Sequence, residues 1–147
     1  PINNTQIPLG NFEHVANTPF DFRKPHTIGE RIKSDHPQLK NGLGYDHTFV
    51  LKKNEEPGLT FAARAYDPHS GRVLELFTSE PGVQFYSGNF LDGSLTGKGK
   101  RYMHRSGFCL EPQHFPDSPN QPQFPSAILH PNEEYKSEMM YKFSVKK

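Results

Sequence analysis

The sequence predicts a mainly β protein, an antiparallel β-sandwich, and three observations carry that expectation. Short apolar runs recur at close spacing, several of them alternating with polar residues as half-buried strands do. Turn signals of Gly, Pro, Asn and Asp separate those runs. Aliphatic content is low and ring content high: hydrophobic residues make up 33% of 147, with 12 Phe and 6 Tyr, and mean hydropathy is −0.79. Large rings bury much area each, which suits thin β layers better than a helical bundle. A chain this rich in Phe does not read as disordered.

Residues 1–46 are rich in Pro, Asn, His and Gly and show helical periodicity only around Ile28–Ile32, so loops and one short helix are expected there. From Asp46 the pattern turns to strands. His47–Lys53 is the first, Asn54–Gly58 (NEEPG) a turn, and Leu59–Tyr66 the second strand. Asp67–Gly71 (DPHSG) is a five-residue hairpin loop leading into Arg72–Thr78. Pro81-Gly82 breaks the chain before a short strand at Val83–Tyr86. Residues 87–106 read as a long glycine-rich loop, of the kind more often functional than decorative.

Ser106–Glu111 is a short apolar strand ending in an acid, and Cys109 inside it is expected to be a buried, inert thiol. Five prolines between residues 112 and 126 exclude helix and central strand. Alternation at Tyr141, Phe143 and Val145 marks a closing strand. With no internal repeat and no linker, residues 1–147 are expected to form one domain.

Composition excludes several function classes. Lys+Arg is 17 against 16 Asp+Glu, and the basic clusters at 98–105 and 146–147 read as solvated surface, so no nucleic-acid partner is implied. No stretch reaches the ~18 apolar residues of a membrane helix, and PINNTQIPLG has neither the charged nor the apolar region of a signal peptide. The lone Cys109 allows no internal disulfide and no Cys-based metal site, which is compatible with a reducing compartment; a cytoplasmic location is expected, with an extracellular one as the alternative. The eight histidines show no HxH or HExxH spacing, so no metal is expected. A start at Pro1 without an initiator Met reads as a chain entered partway through a larger protein.

The candidate chemistry lies at strand ends and unusual loops. Glu111 ends a strand and runs into a Pro-rich loop, where partial burial would lift its pKa toward that of a general base; a merely solvated strand-end acid is the alternative. Asp46 follows Asn41-Gly-Leu-Gly-Tyr45, whose glycines allow close approach of a ligand. A carboxylate there suits two sugar hydroxyls, although by pattern alone a turn aspartate capping its own backbone is the stronger reading. Gln84, Tyr86 and Asn89 share a short strand and its exit, as an amide and a ring would for a polyol, with structural packing favoured by pattern alone. His47 and His114 draw interest only as neighbours of Asp46 and Glu111.

Several stretches together resemble the galactose mutarotase, or aldose 1-epimerase, family. They are Thr18–Arg23 (TPFDFR), Gly44–His47 (GYDH), Pro81–Tyr86 with Gly88–Leu91 (PGVQFY, GNFL), and Ser106–Glu111 followed by Gln113–Pro122 and Phe124-Pro125 (SGFCLE, QHFPDSPNQP, FP). Order and spacing agree too, from about residue 5 to residue 145. The resemblance implies part of the family's large antiparallel β-sandwich, the supersandwich, with residues 1–147 corresponding to the C-terminal half. It implies interconversion of the α and β anomers of galactose or glucose, without metal or cofactor. Glu111 matches the family's catalytic base, Asp46 a residue that holds sugar hydroxyls, and Gln84 a position at the sugar-binding cleft. The base would take the C1 hydroxyl proton while a histidine acid protonates the ring oxygen; the ring opens, the C1–C2 bond rotates, and reclosure gives the other anomer.

The sequence departs from the family in two places. The segment of form NHxYFNL that carries the catalytic histidine is absent, as are an earlier histidine and arginine, and Pro112 stands where Thr is frequent. Three readings follow. The chain is part of a working mutarotase whose N-terminal half lies elsewhere; or a stand-alone, lectin-like sugar-binding protein on the same scaffold; or a structural protein without a sugar site. A half-sandwich leaves open edges and apolar faces, so the first two expect a partner besides the monosaccharide: the missing half or a second copy.

Overall fold

The computed structural model describes residues 1–52 and 58–146, so the turn expected at Asn54–Gly58 falls almost wholly outside the described residues. Its elements are α1 (Ile28–Arg31), α2 (Pro37–Asn41), β1 (Asp46–Val50), β2 (Thr60–Tyr66), β3 (Arg72–Thr78), β4 (Gly82–Tyr86), β5 (Thr96–Gly97), β6 (Lys100–Arg101), β7 (Cys109–Gln113) and β8 (Met139–Val145), with a 3₁₀ turn at Ser118–Asn120. The sheets run β1-β4-β7, β2-β3-β8 and β5-β6. The mainly antiparallel β architecture is the one expected, and among the described residues each expected strand is present, although the closing strand, expected over residues 133–145, begins only at Met139.

Two features leave no periodic sign in the sequence. Helix α2 is too short for periodicity to reveal, yet its signature is local: Pro37 opens it, the His36 ring accepts the Gln38 N–H, and Gly42 follows it. The glycine-rich loop holds the β5–β6 hairpin, in register Thr96↔Arg101, turning on Gly99 at φ 72°. Pro112 extends the strand expected to end at Glu111 without making it a central one. β7 is an end strand of its sheet, the position in which a sheet tolerates proline. The expected absence of helix from residues 112–126 is corrected by the 3₁₀ turn at Ser118–Asn120, whose first turn Pro119 suits because it needs no N–H there.

The chain divides into two compact units, one of residues 1–47 and 84–109, the other of residues 48–83 and 110–147. The first unit is organised around Tyr45, which is fully buried. Phe22 meets it edge-on at 5.2 Å, Phe20 edge-on at 5.5 Å, and Phe85 stacks on it at 5.2 Å. Its phenol donates to the Pro19 carbonyl (3.0 Å), so burial leaves no orphan hydroxyl. Arg31 fastens the Thr18–Arg23 segment alongside: its guanidinium donates to the Asp21 carbonyl (2.8 Å) and lies over the Phe22 ring at 5.2 Å.

The second unit rests on a ladder. β2 pairs with β3 from Thr60↔Thr78 to Tyr66↔Val73, with a register shift between Phe61 and Ala63, and β3 pairs with β8 from Arg72↔Val145 to Thr78↔Met139. The hairpin loop is the expected one. Asp67 accepts the His69 N–H (3.1 Å) and the Ser70 hydroxyl (2.5 Å), and Gly71 supplies φ 71°. Leu76 and Thr78 are fully buried, whereas every residue of β8 is exposed, Phe143 at 73%.

Candidate functional site

Asp46 opens β1 and Gln84 is the central residue of β4, its neighbour in the sheet. Gln84 Nε2 donates to Asp46 Oδ1 at 2.7 Å. Both side chains are partly buried. Burial pushes the Asp46 carboxyl above the ordinary aspartate value, and the Gln84 amide works against that shift by stabilising the carboxylate. The cross-strand amide sets aside the reading of Asp46 as a turn residue capping its own backbone. The pair presents a carboxylate with one oxygen committed and the second available to a further donor, which is what a vicinal hydroxyl requires.

The neighbouring glycines do not admit a ligand, contrary to expectation. A Cβ on Gly42 would sit 2.8 Å from Cε1 of His47, and one on Gly44, at φ 136°, would collide with the Asn89 side-chain oxygen. Both glycines let the chain close on its own side chains. Asn89 likewise belongs to the framework: it donates to the Gly42 and Tyr45 carbonyls (2.9 and 3.0 Å) and accepts from Ser87 Oγ (2.7 Å). The Tyr86 hydroxyl accepts the Phe90 N–H at 2.9 Å, and the two rings stack at 5.9 Å. Of the three residues grouped by sequence on this strand and its exit, Gln84 is the one bonded to Asp46.

Glu111 belongs to the second unit. It lies in the middle of β7 rather than at its end, and its side chain is exposed, not partly buried as expected. Period-two alternation explains this. Cys109 and Glu111 take the exposed positions while Leu110 and Pro112 take the more buried ones, so the thiol expected to be buried is exposed. The carboxylate is therefore mounted on rigid extended backbone. Tyr141 of β8 donates its hydroxyl to the Leu110 carbonyl (2.9 Å), one residue before it.

Just beyond lies a polar cluster that the sequence does not disclose. Glu80 is 3% exposed; its Oε1 accepts the Tyr135 hydroxyl (2.7 Å) and its Oε2 pairs with His114 Nδ1 at 2.8 Å. Burial alone would raise the Glu80 carboxyl, but its Ser137, Tyr135 and His114 partners together hold it below the ordinary glutamate value. No local pattern marks Glu80, because its partners lie 34 and 55 residues along the chain. The cluster ties the exit of β7 to the 130s loop.

A cavity of about 400 Å³ in the first unit is lined by Ile28, Ile32, Ser87, Arg105 and Phe108 among others, and by none of Asp46, Gln84 or Glu111. Among the described residues no group of three His, Cys, Asp or Glu side chains is placed to hold a metal ion, and no helix is long and apolar enough to cross a membrane.

A sequence model of the family described as Aldose 1-epimerase matches residues 1–142. The chain is 49% identical to galactose mutarotase of Rattus norvegicus over 146 residues, which is 99% of this chain and 41% of that protein. It is 37% identical to aldose 1-epimerase of Escherichia coli over 145 residues, 97% of this chain and 41% of that one. Among solved structures, a GalM/aldose epimerase homologue from C. elegans superposes with TM-score 0.80 at 27% identity, covering 100% of this chain and 43% of that chain. The chain thus spans about two fifths of the length of the relatives it matches.

Proposed function

The chain belongs to the aldose 1-epimerase family, and from that premise we infer that it is the sugar-holding and base-bearing portion of a mutarotase acting on galactose or glucose. The observation that carries the reading is the Asp46–Gln84 pair, a partly buried carboxylate oriented by an amide across adjacent strands in a chain of this family. Asp46 and Gln84 hold hydroxyls of the pyranose, and Glu111 is the base. Its carboxylate accepts the proton of the C1 hydroxyl, the C1 oxygen becomes a carbonyl, and the C1–ring oxygen bond breaks as that oxygen takes a proton from an acid. Rotation about C1–C2 and the reverse transfers give the other anomer. Ring opening and reclosure are each driven by proton transfers, the task of a positioned carboxylate and its partner acid.

The acid is a histidine of the segment that the family carries and residues 1–147 do not, so the same proposal assigns that segment as the partner of this one. The apolar surface of β8 is consistent with a chain that needs covering: Phe143 is 73% exposed, Val145 66% and Met139 50%. A cytoplasmic location goes with the reading and with a sequence whose single cysteine allows no internal disulfide.

Polarimetry of freshly dissolved α-D-galactose tests the assignment. Glu111→Gln in the intact protein is expected to lower the mutarotation rate by about 10²- to 10⁴-fold, the usual worth of a general base, while the melting temperature stays near that of the parent. Turnover within a few-fold of the parent would remove Glu111 from the chemistry. Galactose binding by a parent protein that never accelerates mutarotation would instead favour a lectin-like role.

A further inference from the structure

We propose that His47 is the positioning residue of the sugar site, fixing the main chain of Asp46 from beneath so that the carboxylate meets Gln84 and a sugar hydroxyl in one orientation. The proposal rests on the reading of Asp46 as a hydroxyl holder and adds the residue through which that carboxylate is held.

Consecutive strand residues project to opposite faces, so Asp46 and His47 divide the work of β1 between them. Asp46 turns toward Gln84, while the imidazole of His47 is 7% exposed and packs edge-on against Phe20 at 4.7 Å. Its Nδ1 receives the backbone N–H of Asp46 at 3.1 Å. A ring nitrogen that accepts an amide proton carries none of its own, which places the ring proton on Nε2. Nε2 lies 3.2 Å from Gln38 Oε1 and donates to it.

Gln38 in turn has no freedom to rotate its amide. Its Oε1 accepts the Ile2 N–H at 2.7 Å and its Nε2 donates to the Ile2 carbonyl at 2.9 Å. The two bonds to the Ile2 backbone fix the Gln38 amide with Oε1 toward His47, so donation runs from the Asp46 N–H to His47 Nδ1 and from His47 Nε2 to Gln38 Oε1. Gly42 completes the seat, since a Cβ there would lie 2.8 Å from the His47 ring. Burial of the ring agrees with this geometry by disfavouring its charged form. A merely space-filling histidine needs neither a committed tautomer nor a hydrogen bond to the residue that grips the ligand.

The test compares two substitutions in the intact protein with galactose as substrate. His47→Asn keeps an acceptor oxygen near the position of Nδ1, whereas the longer side chain of His47→Gln carries its amide toward Gln38 and abandons the Asp46 N–H. His47→Gln is expected to raise KM about tenfold, the worth of one hydrogen bond to a held group, with kcat within about twofold. His47→Asn is expected to restore KM to within about threefold of the parent. Asp46→Ala separates the two ideas. If it leaves KM unchanged, the sugar-site reading fails and the positioning role with it; if it raises KM while His47→Gln does not, or if both His47 variants behave alike, the positioning role alone is overturned. Should neither His47 variant fold, ¹⁵N spectra of the parent decide: a ring protonated on Nε2 alone is required, and one protonated on Nδ1 overturns the proposal.

Discussion

The two units place their carboxylates in opposite settings, and each setting suits a different task. Asp46 sits in a unit held by side chains from distant segments: Tyr45 among Phe20, Phe22 and Phe85, and Gln38 reaching both His47 and Ile2. Glu111 sits in a unit held mostly by backbone ladders, with ion pairs across them such as Arg64 with Glu75. A group that must recognise fixed hydroxyls gains from the first arrangement, because packed side chains allow one orientation. A proton-transferring group, the role proposed for Glu111, needs above all a backbone that places it within hydrogen-bond reach of the proton it takes. The contrast also means that the two units should respond differently to perturbation.

The largest expected effect is on the packed unit. Tyr45→Ala removes a fully buried ring and leaves the Pro19 carbonyl without its donor, and is expected to cost about 3–5 kcal/mol in urea unfolding. A loss under ~1 kcal/mol would show that the aromatic cluster does not organise this unit.

A pH dependence comes next. Burial of the imidazole pulls His47 from 6.5 down to about 4 in the folded protein. Between those values the unfolded chain binds the proton and the native one does not, so stability is full above about pH 6.5 and falls as pH drops toward 4, by on the order of 3 kcal/mol. Unfolding of the parent and of His47→Asn at pH 7 and at about pH 4.5 measures it. The parent should lose more stability on acidification than the variant, and equal losses would show that the imidazole is not the group responsible.

The smallest effect should fall on the ladder unit. In the register Arg64↔Glu75↔Lys142 a carboxylate lies between two cations on neighbouring strands, and the Arg64 guanidinium holds the Glu75 carboxyl below the ordinary glutamate value. The two cations are largely exposed and water screens their side of each pair, so Glu75→Gln is expected to lower the melting temperature by only about 2 °C. A drop several times larger would erase the contrast drawn between the units.

Much of the second unit is legible in the sequence because its information is local. The hairpin Asp67–Gly71 needs only an aspartate to bond its own loop and a glycine at positive φ, and Arg72–Thr78 alternates as a paired strand must. Helix α2 escapes a sequence reading for the opposite reason: five residues are too few for a period, and only its capping residues speak for it. Cys109 departs from expectation because apolar character suggests burial where the two-residue alternation decides exposure.

By itself the sequence determined the β class and most of the strands, since these depend on residue types at fixed short spacing, while Asp46, Gln84 and Glu111 stood out through their resemblance to family motifs rather than through pattern alone. Tertiary structure decided which side chains meet. That Gln84 grips Asp46, that Asn89 and the glycines of Asn41–Tyr45 serve the framework, that Glu80 is buried against His114 and Tyr135, and that Gln38 orders His47 all depend on folding rather than on spacing. Most of these partners lie tens of residues apart, and hydrogen bonds at that separation leave no periodic trace in the chain, because only folding brings such groups within about 3 Å of each other.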